Sequence, residues 1–417
     1  MDTSSPPTAL HVPDHDLPAI ARRFMIPEPI HVHLFPDKGN INLHTYLVRA
    51  GGDDYILQKV NMDVFALPHR VMNGMIASIE AQATAKAQGK GSPDWEPIKL
   101  IPTREGEPFL ELEGDVWRLM VRIPNAMGFK SLGAVEGREA QLALAEEIGR
   151  GMAIYLDLTA GIDPTTVEGS LPGYRDTALY FAQFHSVLRG HRCLSEVADI
   201  LPTDPIVRAT TERLFLVAVD EDEASRRKAD REVAAAIDLA VRHESLARAL
   251  WYAIEDGRIR QTLIHGDTKI ENFLFDRDTA RAKSLVDLDT IMPFTWLADW
   301  GDLLRSMSNV AGEKETDLTK VQVDAEVYEA VVRGFLATSN EVTDAEIALM
   351  PVSVPAIALE LGVRFLADYL RGDNYFQLAE GDPPDLNRTR ALVQLTLFQR
   401  LLDFAPQAEA MMARYRR

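Results

Sequence analysis

Leu263-Ile264-His265-Gly266-Asp267-Thr268-Lys269-Ile270-Glu271-Asn272-Phe273-Leu274-Phe275, followed by Leu285-Val286-Asp287-Leu288-Asp289, is the stretch that decides the fold. An apolar β-like run leads into His-Gly-Asp; four residues later an Asn opens a second short strand, and a third strand ends in Asp. Each part suits phosphoryl transfer. One carboxylate must take the proton of an acceptor hydroxyl, and a pair of oxygen ligands must hold a hard cation against nucleotide phosphates. An Asn and an Asp at the ends of neighbouring strands can share one such cation. Asp267, upstream on the same loop, then sits where a hydroxyl can approach. The spacing His-Gly-Asp-x4-Asn is expected by chance in roughly one chain of this length in a thousand. Turn and capping roles for Asp267 and Asn272 are the plainer alternative.

Outward from this β-like island the chain changes character. Residues 44–50 (HTYLVRA) and 55–60 (YILQKV), joined by Gly51-Gly52-Asp53-Asp54, read as a hairpin. A second hairpin reads from 109–113 through Gly114-Asp115 to 116–121, and residues 98–101 offer a further strand. Between the hairpins Val71, Met72, Met75, Ile76 and Ile79 fall on one helical face behind Pro68. Beyond residue 125 helical spacing dominates, as in Leu142, Ala145, Ile148, Met152 and Tyr155, and near 178–188, 207–219, 325–338, 356–370 and 388–403. The charged, Ala-rich stretch 220–242 reads as a solvated helix face. Trp296 and Trp300 read as core, and the ten histidines lack metal-site spacing.

The 417 residues carry 44 Lys plus Arg against 63 Asp plus Glu, a formal net charge of −19. That balance opposes broad binding to nucleic acid or anionic membrane while leaving room for a local phosphate pocket. The single cysteine, Cys193, excludes an intrachain disulfide and a four-cysteine zinc site. Residues 1–18 read as a flexible tail without signal-peptide features, and no uncharged apolar stretch reads as a membrane span. The expectation is a cytoplasmic protein.

The segment from His265 to Asp287 resembles the aminoglycoside phosphotransferase and choline kinase superfamily, matching its catalytic loop and strand-end metal Asp residue for residue. The resemblance implies an α+β, two-lobed protein-kinase-like fold, with a small antiparallel-sheet N-lobe at 19–125 and a larger, mostly helical C-lobe at 126–417. It implies a hinge near 121–126 and ATP bound between the lobes. It implies Asp267 as catalytic base, Asn272 and Asp287 as Mg²⁺ ligands, His265 bracing the loop, and Asp299, in Ala298-Asp299-Trp300-Gly301-Asp302, orienting it. More of the chain, about residues 24–403, is similar to one branch, the N-acetylhexosamine 1-kinases, through Gly39-Asn40-Ile41-Asn42, Tyr46-Leu47-Val48, residues 55–61, residues 286–293 and residues 364–370.

In the N-lobe, Gly39-Asn40-Ile41-Asn42 lies before the 44–50 strand, where a glycine-containing turn can lay backbone N–H groups on phosphates. The loop departs from the branch pattern, with Pro36 or Asp37 in place of a second glycine and an extra residue near Leu43-His44. Gln58 and Lys59 face opposite ways on their strand, and either matches the kinase lysine position. Lys59 carries the charge and is the expected phosphate partner, with Glu80 as its helical counterpart. Arg364 and Asp368 are spaced i,i+4 and share a helix face, as a surface salt bridge would; the branch resemblance makes Arg364 a sugar-binding candidate. Asp289 shares strand polarity with Asp287 and is a candidate further carboxylate for acceptor or metal. The expectation is an ATP- and Mg²⁺-dependent small-molecule kinase acting on a sugar hydroxyl. Its alternatives are a kinase of a cationic amine and a nucleotide-binding regulator without turnover.

Overall fold

The computed structural model describes residues 16–35, 41–376, 378 and 381–416. Gly39 and Asn40 lie outside the described residues, as does most of the expected tail. The chain divides into two compact units: the residues up to Pro68 with Ile98–Pro124, and His69–Pro97 with the residues from Asn125 onward.

The first unit is built on one antiparallel sheet. Its strands are β1 (Ile30–Leu34), β2 (Thr45–Ala50), β3 (Asp53–Lys59), β4 (Leu110–Leu112) and β5 (Asp115–Val121), in the order β1-β2-β3-β5-β4. Both expected hairpins form. Their turns carry positive φ at Gly51 and Gly52, and at Glu113 and Gly114, the backbone that tight hairpins with right-handed twist require. Tyr46, Val48, Tyr55, Leu57, Trp117 and Leu119 bury one face of the sheet together with Ile20 and Phe24.

Two expectations change here. Residues 98–101 make only an isolated bridge, Leu100 to Met120, because Pro97 and Pro102 bound the run and leave it too short to extend the ladder. Strand β1, with apolar Ile30, Val32 and Leu34 alternating with His31 and His33, pairs with β2 throughout. The segment 36–42 therefore connects β1 to β2 instead of preceding the first strand.

The second unit is mostly helical and holds two small sheets. Its strands are β6 (Ala126–Gly128), β7 (Thr262–Ile264), β8 (Phe273–Asp276), β9 (Ala282–Leu285) and β10 (Met292–Phe294). They form the antiparallel arrangements β6-β8-β9 and β10-β7. The helix Pro68–Ala87 belongs almost wholly to this unit, whereas the sequence assigned it to the N-lobe. The reason is packing: Ser78 bonds Tyr155 at 3.1 Å, and a Cβ on Gly74 would stand 3.0 Å from Ile291 Cβ. The stretch 220–242 is two helices, Glu221–Ala229 and Arg231–Arg242, parted at Asp230, whose carboxylate caps the second.

Helices Trp296–Ser308, Asp344–Arg371 and Leu386–Tyr415 carry much of the core, including Trp296 and Trp300, both buried as expected. Asp344–Arg371 is long and apolar enough to cross a membrane, which the sequence reading missed. Most of its apolar window is buried inside the fold, the pattern of a core helix.

Candidate active site

The loop between β7 and β8 is clamped from one side chain. Asp299, in the first turn of Trp296–Ser308 and 3% exposed, accepts the backbone N–H of His265 at 2.7 Å and of Gly266 at 2.8 Å. Its own carbonyl accepts the Thr268 hydroxyl at 2.7 Å. Burial pushes the Asp299 carboxyl up, while the two amides it serves pull the other way. Gly266 has φ +84°, and a Cβ there would lie 2.5 Å from the Thr290 carbonyl oxygen. Only glycine fits that turn.

His265 is fully buried and edge-on to Tyr155. Its Nε2–H donates to the Val286 carbonyl at 2.9 Å, and its Nδ1 accepts the Asp267 N–H at 3.3 Å. Those two bonds fix the neutral tautomer. His265 therefore ties the loop to the end of β9, as a positioning residue.

Asp267 projects from the clamped loop with its carboxylate partly exposed. Asn272, 5% exposed, donates Nδ2 to the Asp267 carbonyl at 2.8 Å and to Oδ2 at 3.3 Å. With the nitrogen committed there, Oδ1 is the atom Asn272 can offer a cation. Pairing of Phe273 with Leu285, and the Val286 N–H to Asn272 carbonyl bond of 2.8 Å, bring Asn272 and Asp287 to one end of the β8–β9 pair. Asp287 is exposed and takes φ +66°, a left-handed backbone that a non-glycine residue adopts at a cost of about 1–3 kcal/mol.

Among the described residues no three His, Cys, Asp or Glu side chains gather as a metal-binding group. The pair Asn272 and Asp287 nevertheless fits Mg²⁺, which is commonly held by one or two protein oxygens with water and phosphate completing the shell.

The structure adds Lys269, which the sequence reading passed over. Its ammonium lies 2.6 Å from Asp267 Oδ2. Burial alone depresses this lysine, but the charges of Asp267, Asp287 and Glu271 prevail and raise it above its ordinary value. One cation thus sits among the carboxylates at the mouth of the loop. A lysine two residues past an aspartate is visible in the sequence, yet only the irregular loop geometry turns the two toward each other.

Asp289 departs from expectation. After Asp287 the chain enters the 3-10 helix Leu288–Thr290, so strand alternation no longer applies. Asp289 is 2% exposed whereas Asp287 faces solvent, and the two do not present a common edge. Arg364 and Asp368 likewise form no salt bridge to each other. Asp368 accepts the backbone N–H groups of Asn374, Tyr375 and Phe376, capping the turn after its helix. Arg364 instead sits among the rings of Tyr174, Tyr180, Tyr375 and Phe376, 4.7–5.9 Å from their centroids. Tyr174 in turn donates its hydroxyl to the Gly266 carbonyl at 3.0 Å.

Asp267, Lys269 and Glu271 open onto a cavity of about 730 Å³ within the second unit, a size suited to a small-molecule ligand. Several of its other charged wall residues are paired. Asp302 takes Arg175 at 2.8 Å and Arg305 at 2.7 Å, Glu313 takes Arg305 at 3.1 Å, and Asp324 takes Arg138. Arg175 and Arg305 hold Asp302 down to about 2 against the opposing effect of burial. Arg364 does not line this cavity.

In the first unit the candidates fall on opposite faces of the sheet. Lys59 pairs with Asp115 at 3.0 Å, and the expected counterpart Glu80 is exposed. Gln58 donates to Thr45 Oγ1 at 3.0 Å and accepts from Arg118. Ile41 and Asn42 are stitched to Asn61: its Nδ2 donates to the Ile41 carbonyl at 2.7 Å, and its N–H donates to Asn42 Oδ1 at 3.2 Å.

Three solved structures share the kinase-like fold. The microcompartment-associated aminopropanol kinase superposes with a TM-score of 0.50 at 15% identity, over 94% of this chain and 98% of that one. The aminoglycoside phosphotransferase of Alicyclobacillus acidocaldarius gives 0.51 at 14%, over 94% and 96%. Amicoumacin kinase hAmiN, in complex with AMP-PNP, Ca²⁺ and Ami, gives 0.50 at 11%, over 91% and 92%. The resemblance to N-acetylhexosamine 1-kinases has no counterpart among these three. At the level of sequence, residues 34–343 match the model of a phosphotransferase enzyme family. That span is well over half of the chain and contains the whole clamped loop, and the chain belongs to the APH phosphotransferase enzyme family.

Proposed function

We propose that this chain is an ATP- and Mg²⁺-dependent small-molecule kinase that transfers the γ-phosphoryl group to an acceptor hydroxyl. The observation that carries the reading is the Asp267 carboxylate, fixed by a clamped loop at the wall of a cavity of about 730 Å³. Asp267 accepts the hydroxyl proton as the acceptor oxygen attacks the γ-phosphorus and the bond to ADP breaks. Asn272 and Asp287 would hold Mg²⁺, which would offset phosphate charge when bound. His265 and Asp299 position the loop. Ile41 and Asn42, with the neighbouring Gly39 and Asn40, form the segment that meets the nucleotide phosphates.

The finer reading is a sugar hydroxyl, such as the anomeric hydroxyl of an N-acetylhexosamine. Arg305 pairs with Asp302 and Glu313, and Arg138 with Asp324, so much of the wall is made of paired polar groups, which supports a neutral polyhydroxyl acceptor. Arg364, expected to bind the sugar, lies outside this cavity and lends the sugar reading no support. The exposed Glu271 carboxylate on the cavity wall favours a second reading, a cationic amino alcohol.

The test is ADP release from Mg·ATP across N-acetylglucosamine, N-acetylgalactosamine, other hexoses, choline, ethanolamine and an aminoglycoside, with Asp267→Asn as the blank. Turnover on a sugar that vanishes in the variant supports the first reading, and turnover on the amines alone supports the second. Nucleotide binding without turnover on any acceptor would leave a regulator as the better account.

A further inference from the structure

The three residues His265, Gly266 and Asp267 have every main-chain polar group engaged. The N–H groups of His265 and Gly266 go to Asp299, and that of Asp267 goes to His265 Nδ1. On the carbonyl side, His265 accepts the Thr290 hydroxyl at 2.8 Å and Asp267 accepts Asn272 Nδ2 at 2.8 Å. These partners come from the loop itself or from the chain that follows it. The Gly266 carbonyl is served differently. It accepts the Tyr174 hydroxyl at 3.0 Å and Arg175 Nη2 at 3.4 Å, from two successive residues 92 and 91 positions upstream.

That pair is held at a cost. Arg175 takes φ +59°, a left-handed backbone that costs a bulky residue about 1–3 kcal/mol. Aromatic side chains take both of its main-chain polar groups. Its N–H donates to the Tyr180 hydroxyl at 2.9 Å, and its carbonyl accepts Trp251 Nε1–H at 3.0 Å. The guanidinium, 2% exposed, donates to Glu360 at 3.2 Å and to Asp302 at 2.8 Å besides reaching Gly266. Arg364 lies over the rings of Tyr174 and Tyr180, 5.3 and 4.7 Å from their centroids, and so backs both tyrosines. Ion pairs to Glu360 and Asp302 do not by themselves call for a left-handed arginine. Convergence of two neighbours on one acceptor does call for a turned backbone, because successive side chains on an extended chain point to opposite sides.

We propose that Tyr174 and Arg175 are positioning residues for the phosphoryl-transfer step, acting through the Gly266 carbonyl to set the direction of the Asp267 carboxylate. The inference rests on the kinase reading above and concerns how its base is aimed. The Gly266 carbonyl belongs to the peptide plane that leads into Asp267. Asp299 and Thr290 hold the plane before it, through the Gly266 N–H and the His265 carbonyl. Glycine leaves the rotation between the two planes soft, and the N–H end of the second plane has one long bond, 3.3 Å to His265 Nδ1. Two donors on its carbonyl oppose that rotation and so fix the Cα–Cβ direction of Asp267. Asp302, which shares Arg175 Nη2 with Gly266, lines the acceptor cavity. The same guanidinium therefore ties the cavity wall to the loop that bears the base.

The experiment is a rapid-quench single turnover of the full chain, in excess over Mg·ATP, with the acceptor that the panel above identifies, beside steady-state kinetics and melting curves. Tyr174→Phe removes one donor and no charge. It is expected to lower the rate constant of transfer about tenfold, the cost of a slightly misaimed base, while the amplitude is kept and the KM values for ATP and acceptor stay within about twofold. Arg175→Lys lacks the planar fork that serves Glu360, Asp302 and Gly266 together and should lower the rate constant at least as much. A merely structural role would reduce the amplitude or the melting temperature and leave the rate constant unchanged, a result that overturns the inference. A loss confined to KM overturns it as well. If Arg175→Lys shows no melting transition, Tyr174→Phe decides alone by the same criterion. An unaltered chain that transfers to no acceptor overturns the kinase reading itself, and this assignment with it.

Discussion

The loop 265–272 and the strand pair around Gln58 and Arg118 both hold a charged group in place, by opposite means. In the loop the backbone is irregular, and one buried carboxylate, Asp299, secures it by taking two main-chain N–H groups. The charged side chain, Asp267, is left to project. In the sheet the ladder secures the backbone, and the charged side chain is itself held by a relay of neutral side chains. A backbone that depends on one clamp is vulnerable to changes in main-chain geometry. A side chain held by register tolerates those changes but depends on which face it occupies. The comparison teaches that substitutions should divide accordingly: large effects where a clamp or reacting group is lost, small ones where a strand merely loses a peripheral pair.

The largest effect is expected at Asp267, the proposed base. Asp267→Asn keeps the shape and removes the base, so kcat is expected to fall by about a thousandfold, within the range of general-base catalysis. Mg·ADP affinity and the melting temperature should stay close to those of the unaltered chain, because Asp267 projects from the clamp without being part of it. Steady-state kinetics beside calorimetry checks this, and retained turnover would remove Asp267 from the mechanism.

Gly266→Ala attacks the clamp. The residue must hold φ +84° with a Cβ 2.5 Å from the Thr290 carbonyl oxygen. A destabilisation of about 1–3 kcal/mol is expected from the backbone alone, with a further cost from the clash. Urea denaturation reads it directly. A variant as stable as its parent would show that the loop can relax and that the clamp does not define it. Alanine at Gly52, where a Cβ meets nothing within 4 Å, isolates the cost of positive φ without the clash.

The loop was legible because its chemistry is contiguous: His265, Gly266, Asp267 and Asn272 lie within eight residues, and Asp287 follows one hairpin later. The hairpins were legible from their glycine turns. Strand β1 was missed because His31 and His33 break up a short apolar alternation, although its period of two was present. Asp289 was misread because strand parity was carried past Asp287, where the left-handed backbone starts a 3-10 turn. Arg118 was invisible for a different reason. Its relation to Gln58 is a cross-strand register across sixty residues, and no local pattern records which residue of β5 faces which residue of β3. The Arg364–Asp368 spacing was correct for a helix face, yet backbone N–H groups of the following turn outcompeted the arginine for the carboxylate.

On the cavity wall a third, intermediate effect depends on pH. Asp302 is held at about 2 by Arg305 and Arg175, below its unfolded value of about 3.9. A depressed carboxylate contributes stability that is present above the unfolded value and lost as pH falls through the folded one. The window is therefore about pH 4 down to pH 2, and the contribution is about 2 kcal/mol. Asp302→Asn should flatten that part of the acid denaturation curve. An unchanged acid limb would mean that Arg175 and Arg305 stay neutralised by Glu360 and Glu313 without it.

The smallest effect is expected where the sheet's second face is tested from behind. Lys59 and Asp115 form a pair that is 20% and 25% exposed, and pairs open to solvent contribute under about 1 kcal/mol because water screens them and side-chain entropy opposes them. Lys59→Met keeps the aliphatic stem along Trp117 and discards only the charge, so its urea midpoint should lie within that margin of the parent's. A loss several times larger would mean that the core-side face is organised around this ion pair. A loss within the margin leaves Lys59 as a peripheral tie on the buried face and sharpens the contrast with the opposite face, where Arg118, Gln58 and Thr45 are hydrogen-bonded in series.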